Sequence, residues 1–386
     1  MSESAARDRG QPSRVVIAGA GVAGLEAAAA LRSLADGRVT LTLIAPEARF
    51  VHRPLEPYEA FGIDAPPPVA LAALAGRLDA RLVVDRVTWV DREARVVHCR
   101  SGAACGFDAL VLGVGARPEV RYRHALTVDD TVAGDLRSLI DDVVAGRVTR
   151  LALIVPERMA WPLPLYEVAL MTATLAQEHD RELAITLITA EAAPLHAFGH
   201  QVHGQMTALL RRRGVEVLAG TRCDVPAPDH VVVISNPHGQ SGRDLAVDRV
   251  LALPELFGPH VRGLPCAEYG FIPIDRFCRI PGLTAIHAAG DGTDYPIKHG
   301  GLAAQQADVA ATCIAAACGA PVRVRAFHPT LEGTLLTGDR SRHLSARLTG
   351  GQPFGSRMGP AVADAPTASA KLAAPYLSAL LQEVSG

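Results

Sequence analysis

A chain of 386 residues is too long for one ordinary hydrophobic core, so two or three domains are expected. Its composition, 49% hydrophobic and 20% charged, is globular, and a formal net charge of −2 gives no basic field for nucleic acid. The first thirteen residues are polar without the apolar core of a signal peptide, and no apolar run reaches membrane-spanning length, 302–318 being interrupted by Gln305, Gln306 and Asp308. The seven cysteines are scattered with no CxxC, which reads as reduced cytoplasmic thiols rather than a disulfide framework. Lysine occurs only at positions 298 and 371, and every other member of the 38 Lys and Arg residues is arginine. A lysine inside a glycine-rich stretch is therefore singled out.

The run Val15-Val16-Ile17-Ala18 has strand character and ends in Gly19-Ala20-Gly21-Val22-Ala23-Gly24, a G-x-G-x-x-G loop. An alanine-rich, helix-favouring segment follows to about Leu34. Strand, tight turn and helix in this order predict a dinucleotide-binding unit. Gly19 permits the turn, Gly21 lets the backbone approach a pyrophosphate, and Gly24 lets helix and strand pack closely. The phosphates would sit at the helix N-terminus, where backbone N–H groups and the dipole favour an anion. A second strand is predicted over Val39 to Ile44. The ribose-binding acid expected at its end is absent at Ala45, and Glu47 is the candidate two residues on, against the alternative of a solvated loop carboxylate.

The stretch from Arg49 to Pro68 is proline-rich and reads as irregular. No cysteine lies between positions 36 and 98, so the redox-active cysteine pair that disulfide-reductase flavoproteins carry there is missing. Alternating patterns then predict strands over Val83 to Val90, Arg95 to Cys99 and Phe107 to Leu112. A helix is predicted from about Asp130 to Val144, then a second α/β unit: a strand over Leu151 to Val155, a helix to Gln177, a strand over Leu183 to Ile188, a helix from about His200, and strands at 215–217, 231–234 and 250–252. Where this second unit should carry its own glycine loop it reads Pro156-Glu157-Arg158-Met159-Ala160-Trp161-Pro162, with no glycine. Prolines and a tryptophan lack the permissive backbone and small volume a pyrophosphate needs. His196, His200 and His203 have metal-ligand spacing, but Phe198-Gly199 puts His196 outside the helix, so no metal site is assigned. Arg211 to Arg213 reads as a solvated helix end.

The run Asp108-Ala109-Leu110-Val111-Leu112-Gly113-Val114-Gly115-Ala116-Arg117-Pro118 resembles the segment that closes the first half of the FAD domain in flavoproteins with two dinucleotide-binding domains. The stretches Phe271 to Asp275 and Ile286-His287-Ala288-Ala289-Gly290-Asp291 resemble the last FAD-domain strand of that family, with its Gly-Asp pair. Lys298-His299-Gly300-Gly301 then opens a helix that in the family points at the flavin pyrimidine ring. Within the pyridine nucleotide-disulfide oxidoreductase superfamily, the chain is most similar to sulfide:quinone oxidoreductases, with type II NADH dehydrogenases next, on Arg53-Pro54, the 156–167 run and Lys298-x-Gly300. It departs from them: 156–167 and Leu331 to Arg342 hold no cysteine, and the position of a helix-end Gln of the NADH enzymes is Gly301.

The fold class this implies is α/β, with two Rossmann-like three-layer domains, the second inserted in the first. The FAD-binding domain would comprise 1–125 and 266–330, the inserted domain 126–265, and a short C-terminal segment 331–386. The resemblance implies FAD as cofactor, with Gly19, Gly21 and Gly24 at its pyrophosphate and Glu47 at the ribose. Arg53 would lie by the isoalloxazine or pyrophosphate and Val87 by the adenine through its backbone. Gly115, Gly290, Asp291, Lys298, Gly300 and Gly301 would surround the flavin chain and ring. Lys298 would stabilise negative charge on the reduced flavin, Glu167 would relay a proton at the start of the second unit's first helix, and Gln305 would touch a quinone or other substrate. The expected partners are a small reductant and an electron acceptor such as a quinone, with no nucleic acid and with a homodimer left open. The final helix, Leu372 to Val384, is one-sided and expected to dock on the body or on a second copy. Membrane contact is expected to be at most peripheral, at the inner face, for a cytoplasmic protein.

Overall fold

The computed structural model describes residues 11–128, 133–235, 242–349, 352–360 and 373–385. Helices are numbered in chain order as α1 (Val22–Leu34), α2 (Leu71–Arg77), α3 (Ala133–Val144), α4 (Leu163–Glu178), α5 (His200–Arg212), α6 (Gly300–Ala317) and α7 (Pro375–Ser385). Residues 129–132, 350–351 and Leu372 lie outside the described residues. With them lie the expected first turn of α3 and the expected start of α7.

Two sheets of mostly parallel strands organise the chain. The first has six strands in the spatial order Arg279–Ile280, Leu283–Ala288, Ala109–Leu112, Ser13–Ala18, Val39–Ala45, Ala80–Val84. All pair in parallel except Arg279–Ile280, which is antiparallel to its neighbour. The central strands are short apolar runs with little exposed surface, as expected when helices cover both faces of a sheet. This sheet draws on residues from both ends of the sequence. The second sheet, wholly from the intervening stretch, orders Leu126–Thr127, Arg249–Ala252, Arg150–Val155, Ala184–Thr189, Val215–Leu218, all parallel. The two α/β units expected from the sequence are thus both present, each with a parallel sheet that needs helical crossovers.

Three features differ from the sequence reading. The single strand expected over Val83 to Val90 is two, because Asp85 turns the chain: its carboxylate accepts bonds from the backbone N–H of Arg86 and Ser101 and from the Ser101 hydroxyl. The half before the turn joins the main sheet and the half after it, Val87–Asp91, forms a separate three-stranded antiparallel sheet with Val96–Cys99 and Ala104–Gly106. The stretch expected to be irregular contains a 3-10 helix, Arg53–Phe61, in which Pro54 supplies the preset φ of a first turn. Phe271 to Asp275, read with the last strand, forms only a single bridge between Ile272 and Thr293.

The C-terminal segment holds a sheet that the sequence reading missed. Thr330–Leu335, Arg342–Thr349 and Gln352–Pro360 form a three-stranded antiparallel meander. Its inward residues Leu331, Leu335, Leu344, Ala346 and Leu348 join the core around α4. Helix α7 packs against α1, burying Leu377 and Leu380. The buried carboxylate of Glu26 on α1 receives the backbone N–H groups of Tyr376 and Leu377, two of the donors that a helix start leaves open. Among the described residues no helix is long and apolar enough to cross a membrane.

Candidate active site

A cavity of about 350 Å³ opens at the C-terminal edge of the first sheet. It lies at the ends of Ser13–Ala18, Val39–Ala45, Ala109–Leu112 and Leu283–Ala288, where the chain order on the two sides of the central strand diverges. Doubly wound sheets bind ligands at this position because loops from neighbouring strands turn in opposite directions there and leave a crevice.

The glycine loop is built as the sequence requires. Gly19 has φ +104, in the region that side chains avoid, and a Cβ on it would run into the backbone carbonyl of Gly113. A Cβ on Gly24 would collide with the carbonyl of Gly19, and one on Gly113 would stand 2.9 Å from the Gly24 nitrogen. Gly19, Gly24 and Gly113 therefore interlock as bare backbone and fix how α1 leaves the strand. Gly21 differs: a Cβ there meets no protein atom within 4 Å, yet the residue lines the cavity and caps α1. Its missing side chain is space left for a ligand. Gly115, with φ +72, is likewise open and lines the cavity.

Two helix N-termini meet this space. Helix α1 starts after Gly21 and α6 starts at Gly300, and neither start has a side-chain cap. Both offer backbone donors and the positive end of a helix dipole to an anion. Glu47 and Arg53 line one side and Gly290 and Asp291 the other. Gly290, with φ +86, sits between Ala23 of α1 and Ala303 of α6, and its N–H is held at 2.7 Å by the side chain of Gln306. Burial raises the Asp291 carboxyl above its usual range, partly offset by the charge of Lys298. Of the residues singled out from the sequence, Gly19, Gly21, Glu47, Arg53, Gly115, Gly290, Asp291 and Gly300 thus converge on one cavity. A nucleotide with two phosphates fits this donor set and these bare backbone positions.

The others stand elsewhere. Gly24 lies behind the loop, and Gly301 is buried on α6 with His299 beside it. Val87 belongs to the separate antiparallel sheet, paired with Cys99, and is not part of the cavity wall. The ammonium of Lys298 donates 2.5 Å bonds to the carbonyls of Thr293 and Tyr295 and lies 4.1 Å from the centre of the Phe271 ring. It ties together the loop that carries Asp291. Burial lowers its pKa to about 8, with Asp291 and Asp294 acting in the opposite sense. Gln305 spans the backbone of Thr330 with both amide atoms, at 2.8 and 3.0 Å, and so joins α6 to the C-terminal sheet. The neighbouring Gln306, which holds Gly290, was not singled out, because nothing in sequence tells which of two adjacent glutamines faces the loop.

Glu167 does not start its helix. Helix α4 begins at Leu163, and Glu167 lies in its second turn, fully buried. It accepts a bond from the Tyr58 hydroxyl of the 3-10 helix and a 2.7 Å bond from the Leu336 N–H of the C-terminal segment. It therefore joins three parts of the chain, outside the cavity wall. Burial and the Glu167 charge push the Tyr58 phenol well above its usual range.

At the second sheet the corresponding corner is filled. Arg158 follows the strand Arg150–Val155, where a glycine loop would run. It pairs with the buried carboxylate of Glu255, and its guanidinium lies 4.9 Å from the Phe257 ring centre and 5.3 Å from that of Tyr269. The acid after the second strand of this sheet, Glu191, is used internally, accepting bonds from the Tyr166 hydroxyl at 2.6 Å and the His196 N–H at 3.1 Å. Neither the phosphate-binding turn nor the ribose-binding acid of a dinucleotide site is open here. Trp161 packs on His299, the residue at the N-cap of α6, with ring centres 4.5 Å apart. His196 lies in a separate 3-10 turn before α5, and among the described residues no group of three or more His, Cys, Asp and Glu could hold a metal.

The model of the pyridine nucleotide-disulphide oxidoreductases matches residues 13–139 and 166–312. The chain belongs to this family of oxidoreductase enzymes. The 139–166 break in the match contains the altered loop at Arg158. Among solved structures of the same fold is the sulfide:quinone oxidoreductase of the hyperthermophilic bacterium Aquifex aeolicus, 20% identical, with a TM-score of 0.77 over 90% of this chain and 87% of that one. A ferredoxin reductase from Rhodopseudomonas palustris is 21% identical, with a TM-score of 0.65 over 88% and 83%. A chain of the Tetrahymena thermophila mitochondrial ATP synthase is 13% identical, with a TM-score of 0.70 over 100% and 96%. No curated protein sequence matches the chain. Unlike the disulfide-forming members of its family, this chain has no cysteine pair after the second strand, and among the described residues no disulfide forms.

Proposed function

We propose that the chain is an FAD-dependent oxidoreductase that moves two electrons from a small reductant to a quinone-like or other acceptor, without NAD(P)H as donor and without a cysteine relay. The observation that carries this reading is the asymmetry of the two sheets: bare glycine backbone and a 350 Å³ cavity at the first, an arginine stacked between aromatic rings at the second. FAD, when bound, supplies the two-electron chemistry. The chain's own part is to bind and to bias. The loop Gly19 to Gly24 with the N-terminus of α1 would hold the pyrophosphate and Glu47 a ribose. Arg53, Gly115, Asp291 and Gly300 would surround the rest, with the positive end of α6 opposite the flavin pyrimidine, where it favours negative charge. Lys298 would add a second positive charge through the 291–298 loop. None of the seven cysteines lines the cavity, so a persulfide relay has no thiol there. The domain division that goes with this reading is 1–125 with 266–330 around the FAD and 126–265 inserted. The setting is cytoplasmic, with any membrane contact peripheral.

The test is anaerobic stopped-flow mixing of the purified protein with NADH, NADPH and sulfide, followed at the flavin absorbance. Sulfide or another small thiol is expected to bleach the flavin while NADH and NADPH leave it oxidised. Rapid bleaching by NAD(P)H would replace this reading with an NAD(P)H-dependent flavoprotein reductase. No bleaching by any donor would favour a non-catalytic FAD-binding protein. A colourless protein that takes up no FAD overturns all three.

A further inference from the structure

A second cavity, of about 400 Å³, lies at the opposite end of the first sheet from the glycine loop, between the strands Arg279–Ile280 and Leu283–Ala288 and the C-terminal half of α6. Arg279, His287, Thr284, Cys313 and Cys318 contribute to its wall. His287 is 3% exposed, and neither ring nitrogen has a hydrogen-bond partner among the described residues. An imidazole placed so deep with both nitrogens unused is costly unless something else bonds to it. Arg279 is paired with His287 across the strands, and no described carboxylate makes an ion pair with its guanidinium, which lies 5.2 Å from the Phe277 ring centre.

We propose that this cavity is a binding site for a small oxyanion, a carboxylate or phosphate group carried by a metabolite, held by the Arg279 guanidinium and a ring N–H of His287. A planar guanidinium beside a neutral imidazole presents fixed N–H donors and one positive charge, the set that recognises such groups. The acids nearby are already committed. Asp108, itself part of the cavity wall, is bonded to the backbone and guanidinium of Arg14, and Asp275 accepts the N–H groups of Phe277 and Arg279. Burial lowers the His287 pKa to about 4, with Arg279 acting in the same sense, so at neutral pH the ring is uncharged and Arg279 supplies the charge. A metal is disfavoured, since no cluster of ligating side chains forms among the described residues. The strand carrying His287 runs on to Gly290 and Asp291, and α6 begins at Gly300, so both walls of the site end at the first cavity. The proposal does not depend on the redox reading.

The experiment is calorimetric titration of the purified protein, saturated with FAD where it takes FAD up, with inorganic phosphate and, separately, with acetate, the substitutions at 279 and 284 separating this cavity from the glycine loop. At least one anion is expected to saturate with a dissociation constant of order millimolar. Arg279→Gln is expected to weaken it about 10-fold or more, and Thr284→Trp, at an exposed position of the wall, to abolish it while the flavin spectrum stays unchanged. The arm that saturates names the group. If neither anion saturates, or if binding survives both substitutions, the site does not exist.

Discussion

Replacing Asp308 with Asn should stabilise the protein at neutral and alkaline pH. Asp308 projects from α6 toward Glu26 of α1, and Glu26 is the carboxylate that caps α7. Its Oδ1 is buried without a hydrogen-bond partner among the described residues. Burial, with the Glu26 charge as the lesser cause, raises its pKa from 3.8 to about 7. The native state therefore holds this proton more tightly than the unfolded chain does. Its stabilising contribution is complete below pH 3.8 and is lost as pH rises through about 7. At about 1.4 kcal/mol per pH unit, the interval bounds the loss at about 4 kcal/mol, and relaxation around the pair should leave roughly 1 to 3 kcal/mol. Asparagine keeps the shape and removes the charge. Urea denaturation of the FAD-bound protein at pH 5 and pH 8 should show the variant ahead of the parent by roughly 1 to 3 kcal/mol at pH 8, with a smaller difference at pH 5. Equal stability at pH 8, or an unchanged dependence on pH in the variant, would refute the argument that Asp308 and Glu26 strain the α1–α6–α7 contact.

Three further outcomes follow from the geometry. Gly21→Val should leave a folded protein with FAD affinity reduced about 10-fold or more, whereas Gly19→Ala, forced against the Gly113 carbonyl at φ +104, should lower both stability and FAD content; flavin absorbance and thermal unfolding separate the two. Tyr58→Phe removes one hydrogen-bond partner of the buried Glu167 and should cost about 1 to 3 kcal/mol in urea, with flavin content retained. Arg158→Ala strands the buried Glu255 carboxylate and should cost about 3 to 5 kcal/mol, yet still not permit reduction by NADH, since the glycine turn is absent as well as blocked; stopped-flow mixing with NADH checks this.

The part of this protein that its sequence determines is the part governed by local rules. The run from Val15 to Leu34 declares strand, turn and helix because bare backbone at Gly19 and Gly24 is needed for the strand and helix to approach at all. The missing loop at 156–162 is equally legible, because prolines and a tryptophan cannot replace glycine in that turn. The parallel strands read as apolar runs for the same reason: helices cover them on both faces. What the sequence could not supply are choices made by distant partners. Glu167 meets Tyr58 and Leu336, Gln306 rather than Gln305 reaches Gly290, and Lys298 turns into its own loop. The C-terminal meander was invisible because its strands are half-buried against α4, and their alternation resembles an exposed tail until that surface is in place. Arg158 between Phe257 and Tyr269 is the clearest case. The sequence removes the second nucleotide loop, but only the tertiary structure puts a charge into its place, because the rings and the acid that hold that charge come from about a hundred residues further along the chain.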